Sequence, residues 1–128
     1  MELKRVVVTG LGALTPIGNT VKDYWNGLVN GVSGAAPITY FDATLFKTQF
    51  ACELKNFVAE DFFDRKEARK MDRFTQYALV ASDEAIQDAG LDFTQIDTDR
   101  VGVIWGAGIG GLETFQNEVL YFGSGDGT

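Results

Sequence analysis

Two short apolar segments, each followed by glycines and then by a helical pattern, constrain the fold of this chain most strongly. Residues 6–8 are three consecutive valines that lead to Gly10, and residues 101–105 form a second apolar run that leads to Gly106. Continuous apolar runs of this kind are typical of strands buried on both faces of a sheet. Residues 46–54 instead alternate between apolar and polar side chains, which predicts a half-exposed strand. We therefore expect an α/β fold with helices on both faces of the sheet.

The loop and helix after the first predicted strand carry specific signals. Residues 10–18 contain glycines and a proline that break any regular period, so they are expected to form a close-packed loop. Thr20 with Asp23 three residues later is a capping-box signature, and Gly31 stands at the expected C′ position. The sequence therefore predicts a short amphipathic helix between Thr20 and Gly31.

The second half of the chain predicts three more helices. Asp64 is expected to cap a short helix over residues 65–71, and Asp72 a longer helix that Gly90 ends in a Schellman motif. A last helix is predicted over residues 112–122, after the second glycine run. The inward face of the long helix is expected to combine small and aromatic side chains and to pack closely: Phe74, Tyr77, Ala78, Ala81, Ala85 and Ala89.

The predicted elements do not make a complete domain. Three strands, two of which need helices on both faces, cannot close a core of their own with four helices. We therefore expect the 128 residues to be the first part of a larger α/β domain.

Composition disfavours several classes of function. The chain contains no histidine, which removes the most common general base and metal ligand, so serine–histidine hydrolase triads and zinc sites are not expected. With 11 basic and 18 acidic residues, the formal net charge is -7, which disfavours a nucleic-acid partner. No segment resembles a signal peptide or a membrane span, so we expect no membrane association.

Cys52 is the only thiol in the chain. A single cysteine excludes an internal disulfide, which fits a reducing compartment and predicts a cytoplasmic protein. Cys52 falls on the apolar face of the alternating segment, and no histidine is available to activate it. We therefore expect Cys52 to be structural rather than catalytic.

The second glycine run matches the pattern GxGxxG through Gly106, Gly108 and Gly111, between a predicted strand and a predicted helix. One interpretation is a small nucleotide-binding module, in which this segment cradles a pyrophosphate. The other is a close strand-to-helix turn beside a pocket. A dinucleotide site also needs a second strand that ends in an acidic residue, and no such strand is predicted after residue 122, so we favour the turn.

A local reversal of charge lies in the middle of this acidic chain. Five of the 11 basic residues fall between positions 65 and 73, and on an unbroken helix Lys66, Arg69, Lys70 and Arg73 would form one stripe. Such a stripe suits an acidic protein partner or a phosphate, and steers association. The other interpretation is that neighbouring carboxylates neutralise the stripe. Those carboxylates belong to Asp64, Glu67 and Asp72.

Five segments, in order and at the expected spacing, resemble the amino-terminal part of the β-ketoacyl-[acyl carrier protein] synthases, and most of all type II, the elongating condensing enzymes of bacterial fatty acid synthesis. The segments are RVVVTGLG at 5–12, TPIGN at 15–19, FD at 41–42, RKEARKMD at 65–72 and GAGIGGL at 106–112. The resemblance extends over the whole chain, so residues 1–128 are expected to be the amino-terminal segment of a ketosynthase domain.

This resemblance implies a thiolase-like αβα layered fold, of which the chain is the incomplete first part, and a homodimer. It implies an acyltransferase that needs no cofactor or metal. In that family a cysteine takes an acyl chain from acyl carrier protein, and decarboxylation of malonyl-acyl carrier protein supplies the carbanion that attacks the thioester. Cys52 does not match the cysteine motif of the family, and the two histidines that assist are absent from this chain. The chain alone is therefore expected to be inactive.

Two sets of site residues follow from the resemblance. Gly108 and Ile109 resemble the family's acyl-chain pocket, in which a bulky residue between glycines lines and gates the pocket. Lys66, Arg69 and Lys70 resemble the family's docking surface for the acidic acyl carrier protein. One alternative from the same fold stays open at this point, a non-catalytic partner of the chain-length-factor type.

Overall fold

The computed structural model describes residues 3–125, and helices make up most of its regular structure. Its one sheet within those residues is a two-stranded antiparallel pair, with Ala36 opposite Ala51 and Pro37 opposite Phe50. The elements in chain order are α1 (Val21–Val29), β1 (Ala36–Pro37), β2 (Phe50–Ala51), α2 (Arg65–Ala68), α3 (Arg73–Asp88) and α4 (Leu112–Gly123), with 3₁₀ turns at Ala59–Asp61 and Thr98–Arg100.

The chain divides into two compact units. The first comprises the chain up to Val58 together with Val80–Asp92, and the second comprises Ala59–Leu79 together with the chain from Phe93 onward. Within residues 3–125 the apolar side chains that are buried are all alanines: Ala43, Ala68, Ala78 and Ala81. No helix in this part of the chain is long and apolar enough to cross a membrane.

Helix α1 of the first unit begins and ends as predicted. The Thr20 hydroxyl accepts a hydrogen bond from the N–H of Asp23 at 3.1 Å, so Thr20 is the N-cap. Gly31 has a φ of +63° and follows the last helical turn, and the N–H of Val32 donates to the carbonyl of Gly27 at 2.9 Å. This is a Schellman ending, which requires a left-handed residue at C′.

The loop before α1 packs directly on α3, as the small residues of the predicted inward face require. A Cβ atom on Gly10 would lie 2.6 Å from the backbone nitrogen of Ala89. A Cβ atom on Gly12 would overlap the carbonyl oxygen of Ala81 and lie 2.9 Å from the nitrogen of Ala85. Only glycine allows the loop to approach the helix this closely, so the predicted close-packed loop is confirmed.

Two carboxylates on α3 bind backbone N–H groups near this loop. Glu84 accepts a hydrogen bond from the N–H of Ala13 at 2.8 Å and another from the N–H of Val21 at 2.9 Å. Asp88 accepts one from the N–H of Leu11 at 2.9 Å. The two bonds to Glu84 are partly buried, where an unpaired backbone donor would be costly, so they stabilise a loop that belongs to no sheet.

The strands predicted at residues 6–8 and 101–105 are absent, so that prediction is wrong for the described structure. Neither segment joins a backbone ladder within residues 3–125. Their side chains are also exposed, with Val6 at 88% and Ile104 fully accessible to solvent. A strand exists only when a neighbour completes its hydrogen bonds, and the described chain supplies no neighbour for either segment.

The strand predicted over residues 46–54 is reduced to Phe50–Ala51. Its partner β1 is equally short, and one further bond, from the N–H of Ile38 to the carbonyl of Gln49 at 3.1 Å, follows the paired residues. Cys52 lies beyond the paired residues and is exposed. The prediction that Cys52 lies on the apolar face of a strand is therefore wrong for the described structure.

Candidate docking surface and glycine turn

The basic side chains predicted to bind a partner lie on and just after helix α2. This helix buries Ala68 and leaves Lys66 exposed, and Arg69 and Lys70 are exposed in the turn that follows. The inward residue is small while the neighbouring side chains are long and charged, which is why this face points to solvent. We call Lys66, Arg69 and Lys70 the basic patch.

The helix predicted over residues 65–71 is shorter in the structure, because α2 ends at Ala68. The N–H of Lys70 then donates to the carbonyl of Glu67 at 3.0 Å, a bond over three residues that tightens the chain into a turn before α3 begins at Arg73. Arg73 therefore does not continue one helical stripe with the basic patch. It forms an ion pair instead, with Nε 3.3 Å from Oε2 of Glu113.

The basic patch is only partly neutralised. Lys70 Nζ lies 2.7 Å from Oε1 of Glu67, and both side chains are more than half exposed. Neither Lys66 nor Arg69 forms an ion pair within residues 3–125. Exposed pairs such as Lys70 with Glu67 contribute about 0 to 1 kcal/mol, so Lys70 can exchange its partner at little cost.

Gln76 supports this region and was not singled out by the sequence. Only 8% of the residue is exposed, and its Nε2 donates to the carbonyl oxygens of Ala68, at 2.8 Å, and Met71, at 3.2 Å. Both acceptors belong to the end of α2 and the turn after it. The sequence indicated the role of Gln76 only through its position, because it is a polar residue near the start of α3 and close to the expected inward face.

The second predicted site is the turn that carries Gly108 and Ile109. Ile109 is 78% exposed, so it belongs to no core within the described residues. A Cβ atom on Gly106 or Gly108 would meet nothing within 4 Å. The first part of this glycine run is therefore open, and the isoleucine side chain lies at its tip.

The end of the glycine run is held closely by the start of α3. A Cβ atom on Gly110 would lie 2.7 to 3.1 Å from ring atoms of Phe74, and Gly111 has a φ of +71°. The carboxylate of Asp72 lies beside Gly111 and accepts a hydrogen bond from the hydroxyl of Thr114. Gly110 and Gly111 are thus required by a close approach and a left-handed backbone, respectively.

Both candidate sites belong to the second unit. Asp72 and Phe74 follow the basic patch in sequence, and they contact the end of the glycine run. The chain from Leu112 to Gly125 is helix and turn, so no second strand follows the glycine run in this described part. The contacts of Gly110 with Phe74 and of Gly111 with Asp72 make the end of the glycine run a close turn.

A surface cleft of about 330 Å³ lies elsewhere, in the first unit. It lies beside the start of α1, and its lining includes Thr15, Asn19, Asp23, Lys55 and Asn56. No predicted site residue lines it. Within residues 3–125 no group of three or more cysteine or acidic side chains is placed to hold a metal ion.

Comparisons with known proteins identify the family of this chain. Residues 3–125 match the family "Beta-ketoacyl synthase, N-terminal domain". The 3-oxoacyl-[acyl-carrier-protein] synthase 2 of Synechocystis sp. is 52% identical over 118 residues, and that of Staphylococcus aureus strain COL is 56% identical over 113 residues. These alignments cover 92% and 88% of this chain but only 28% and 27% of the relatives, so the chain spans just over a quarter of their length.

A solved structure is also similar to this chain in its fold. That structure, "The ishigamide ketosynthase/chain length factor", superposes with a TM-score of 0.63 and 39% sequence identity. The match covers 70% of this chain and 22% of that one. The predicted fold class, the first part of a thiolase-like αβα fold, is confirmed. The chain belongs to the β-ketoacyl synthase family, whose amino-terminal domain matches residues 3–125.

Proposed function

We propose that residues 1–128 form the amino-terminal segment of the ketosynthase domain of an elongating 3-oxoacyl-[acyl carrier protein] synthase. The observation that supports this most is the identity of 52% to 56% with synthases of that name over nearly the whole chain. The reaction needs a nucleophilic cysteine and histidines. This segment has no histidine, so it is inactive alone.

The proposed reaction is a decarboxylative Claisen condensation without a cofactor or metal. A cysteine thiolate outside this segment takes the acyl group from acyl carrier protein, and the carrier leaves as a thiolate that takes up a proton from solvent. Malonyl-acyl carrier protein then loses carbon dioxide, and the resulting carbanion attacks the acyl thioester. The C–S bond to the enzyme breaks, the cysteine leaves as thiolate, and 3-oxoacyl-acyl carrier protein is the product.

The basic patch supplies the docking surface for acyl carrier protein in this proposal. Lys66 and Arg69 are exposed and have no ion-pair partner in residues 3–125, and Lys70 has only a surface partner. The remainder of the segment is acidic, with a formal net charge of -7 for the whole chain, so the patch is a local attraction for an acidic partner. Complementary surface charges mainly accelerate association and fix orientation.

Charge reversal of the patch tests the docking role. In the native protein that carries this segment, the triple substitution Lys66→Glu, Arg69→Glu and Lys70→Glu should weaken binding of purified holo-acyl carrier protein roughly tenfold or more. This loss of affinity is the size expected when three exposed ion pairs, each contributing about 0.2 to 1 kcal/mol, are replaced by repulsion between like charges. The salt dependence of binding should also become shallower, because exposed charges are screened by salt.

A matched control separates local docking from net charge. Lys4, Lys22 and Lys47 are exposed and lie in the first unit, so their reversal to glutamate changes the net charge equally. This control should bind the carrier with nearly the affinity of the unmodified protein. Unchanged affinity and unchanged salt dependence in the patch variant would refute the docking role.

Gly108 and Ile109 form the part of the acyl-chain pocket that this segment contributes. The isoleucine is exposed at the tip of a turn, and open space around Gly106 and Gly108 allows that turn to move. A bulky side chain on such a turn can line the pocket in one position and admit a longer acyl chain in another. The proposed role is therefore to gate the chain that enters.

We further propose that the complete protein is a homodimer in the cytoplasm. The single cysteine of this segment, which forms no disulfide, supports a reducing compartment. Helix α4 has exposed apolar side chains along its length, including Phe115, Leu120 and Phe122, and this supports its contact with further protein.

A non-catalytic partner of the chain-length-factor type is the second candidate, because the similar solved structure is named for both a ketosynthase and a chain length factor. The two candidates differ in the cysteine nucleophile, which lies outside this segment. Labelling of the native protein with an acyl-thioester analogue distinguishes them, since only the synthase forms a covalent adduct.

A further inference from the structure

Gln76 is the one polar side chain that is buried within residues 3–125. It lies in the first turns of α3, beside the buried Ala78. A buried amide without hydrogen-bond partners would destabilise the fold. The partners of the Gln76 amide therefore identify the part of the backbone that it stabilises. Two bonds run from its Nε2 to backbone carbonyls outside its own helix.

The two acceptors bracket the basic residues of the turn. Ala68 ends α2 and Met71 closes the turn after it, so the carbonyls at 2.8 Å and 3.2 Å from Nε2 lie on either side of Arg69 and Lys70. Carbonyls at the end of a helix have no partner within that helix. The amide of Gln76 therefore supplies donors where α2 ends and fixes the turn at both of its ends.

Backbone bonds also hold the turn, among them one from the N–H of Lys70 to the carbonyl of Glu67 at 3.0 Å, but they join only residues of α2 and of the turn itself. Helix α2 has only four residues, which is too short to be stable by its own hydrogen bonds. The N–H of Met71 donates to the carbonyl of Ala68 at 3.3 Å, a long bond over three residues. Arg69 and Lys70 are exposed, so their side chains add little packing.

We propose that Gln76 is a positioning residue for the basic patch. It holds the turn after α2 in one conformation, so that Arg69 and Lys70 are presented together with Lys66 before the partner arrives. This inference rests on the docking role proposed above. Preorganisation of this kind increases affinity because less conformational freedom is lost when the partner binds.

Gln76→Met tests the proposal, because methionine keeps the approximate volume and removes both donors. In the native protein, binding of holo-acyl carrier protein should weaken about fivefold at every salt concentration, the size expected for the ordering of a few side chains. The slope of affinity against salt should not change, since all charges remain. Gln87→Met is the matched control, an exposed amide on the same helix, and should bind normally.

Hydrogen exchange reports on the turn directly. The N–H groups of Lys70 and Met71 are bonded within the turn, so their exchange should be about tenfold faster in Gln76→Met and unchanged in Gln87→Met. If Gln76→Met does not fold, slow exchange of the Gln76 side-chain amide protons in the unmodified protein supports the proposal. Fast exchange of those protons overturns it.

The outcomes separate this proposal from the docking role. Normal carrier affinity in Gln76→Met, together with loss of affinity in the charge-reversal variant, overturns the positioning role and leaves docking intact. If charge reversal has no effect on binding, the docking role fails and the positioning role fails with it. Faster exchange in the turn would then show Gln76 to be structural only.

Discussion

At the scale of single residues, a few side chains, and glycines that have none, determine how the loops of this chain pack. Gly12 lies so close to α3 that a methyl group would overlap the carbonyl of Ala81. Glu84 binds two backbone N–H groups with one carboxylate. Ile109 is exposed on a turn between glycines, where packing alone gives it no role in the described residues.

Gly12→Ala should destabilise the first unit. The added methyl group forces the loop away from α3, and overpacking of this kind costs about 1 to 3 kcal/mol of the free energy of unfolding. Denaturation by urea measures the loss. Gly102→Ala is the control, since a Cβ atom there meets nothing within 4 Å. Equal stability of the two variants would show that the loop does not pack as described.

Ile109→Phe should change the chain-length preference of the complete enzyme. A larger side chain narrows the pocket, so turnover of long acyl chains should fall about tenfold more than that of short ones, within the discrimination that apolar pockets reach. The ratio of kcat/KM for long and short acyl-carrier substrates measures this. Leu45→Phe, at a side chain that is 97% exposed in the first unit, is the control. An equal loss at all lengths would argue against gating.

At the scale of secondary structure, local signals predicted the helices and their ends. Thr20 caps α1, Gly31 and Gly90 have the left-handed backbone expected after α1 and α3, and the alanines of α3 pack against glycines. These features depend on neighbours a few residues away or on close contact with one helix. They are therefore visible in a short sequence.

The absence of the predicted strands and the break between α2 and α3 could not be predicted from such local signals. The valines at 6–8 and the apolar residues at 101–105 have the composition of strands, but neither segment pairs with another within residues 3–125. The basic residues have helical spacing up to Arg73, yet the helix ends at Ala68, whose carbonyl accepts a hydrogen bond from the side chain of Gln76. Both outcomes depend on tertiary contacts that spacing does not encode.

Hydrogen exchange should separate the two kinds of segment in the isolated 128-residue chain. Backbone N–H groups at 6–8 and 103–105 should exchange at close to unprotected rates, because no ladder covers them. Those in the middle of α3, around Ala81, should be protected. Strong protection at 6–8 and 103–105 in the isolated chain would show that these segments pair with each other or with another copy.

At the scale of the whole molecule, the chain corresponds to one part of longer relatives. It contains the basic patch and the glycine turn, but no histidine, and it spans 28% of the Synechocystis relative. Family membership, which the residues at 5–12, 65–72 and 106–112 already indicated, is confirmed by the match over residues 3–125. The docking and gating roles are our proposals for the basic patch and for the turn that carries Gly108 and Ile109.

The proposed condensing activity is measured in the native protein that carries this segment. Purified protein is supplied with acyl-acyl carrier protein and malonyl-acyl carrier protein, and 3-oxoacyl-acyl carrier protein and carbon dioxide are measured. We expect the native protein to form 3-oxoacyl-acyl carrier protein and carbon dioxide in equal amounts. The 128-residue segment alone should form neither. Binding of both carriers without any 3-oxoacyl product would contradict the proposed activity and identify a non-catalytic partner instead.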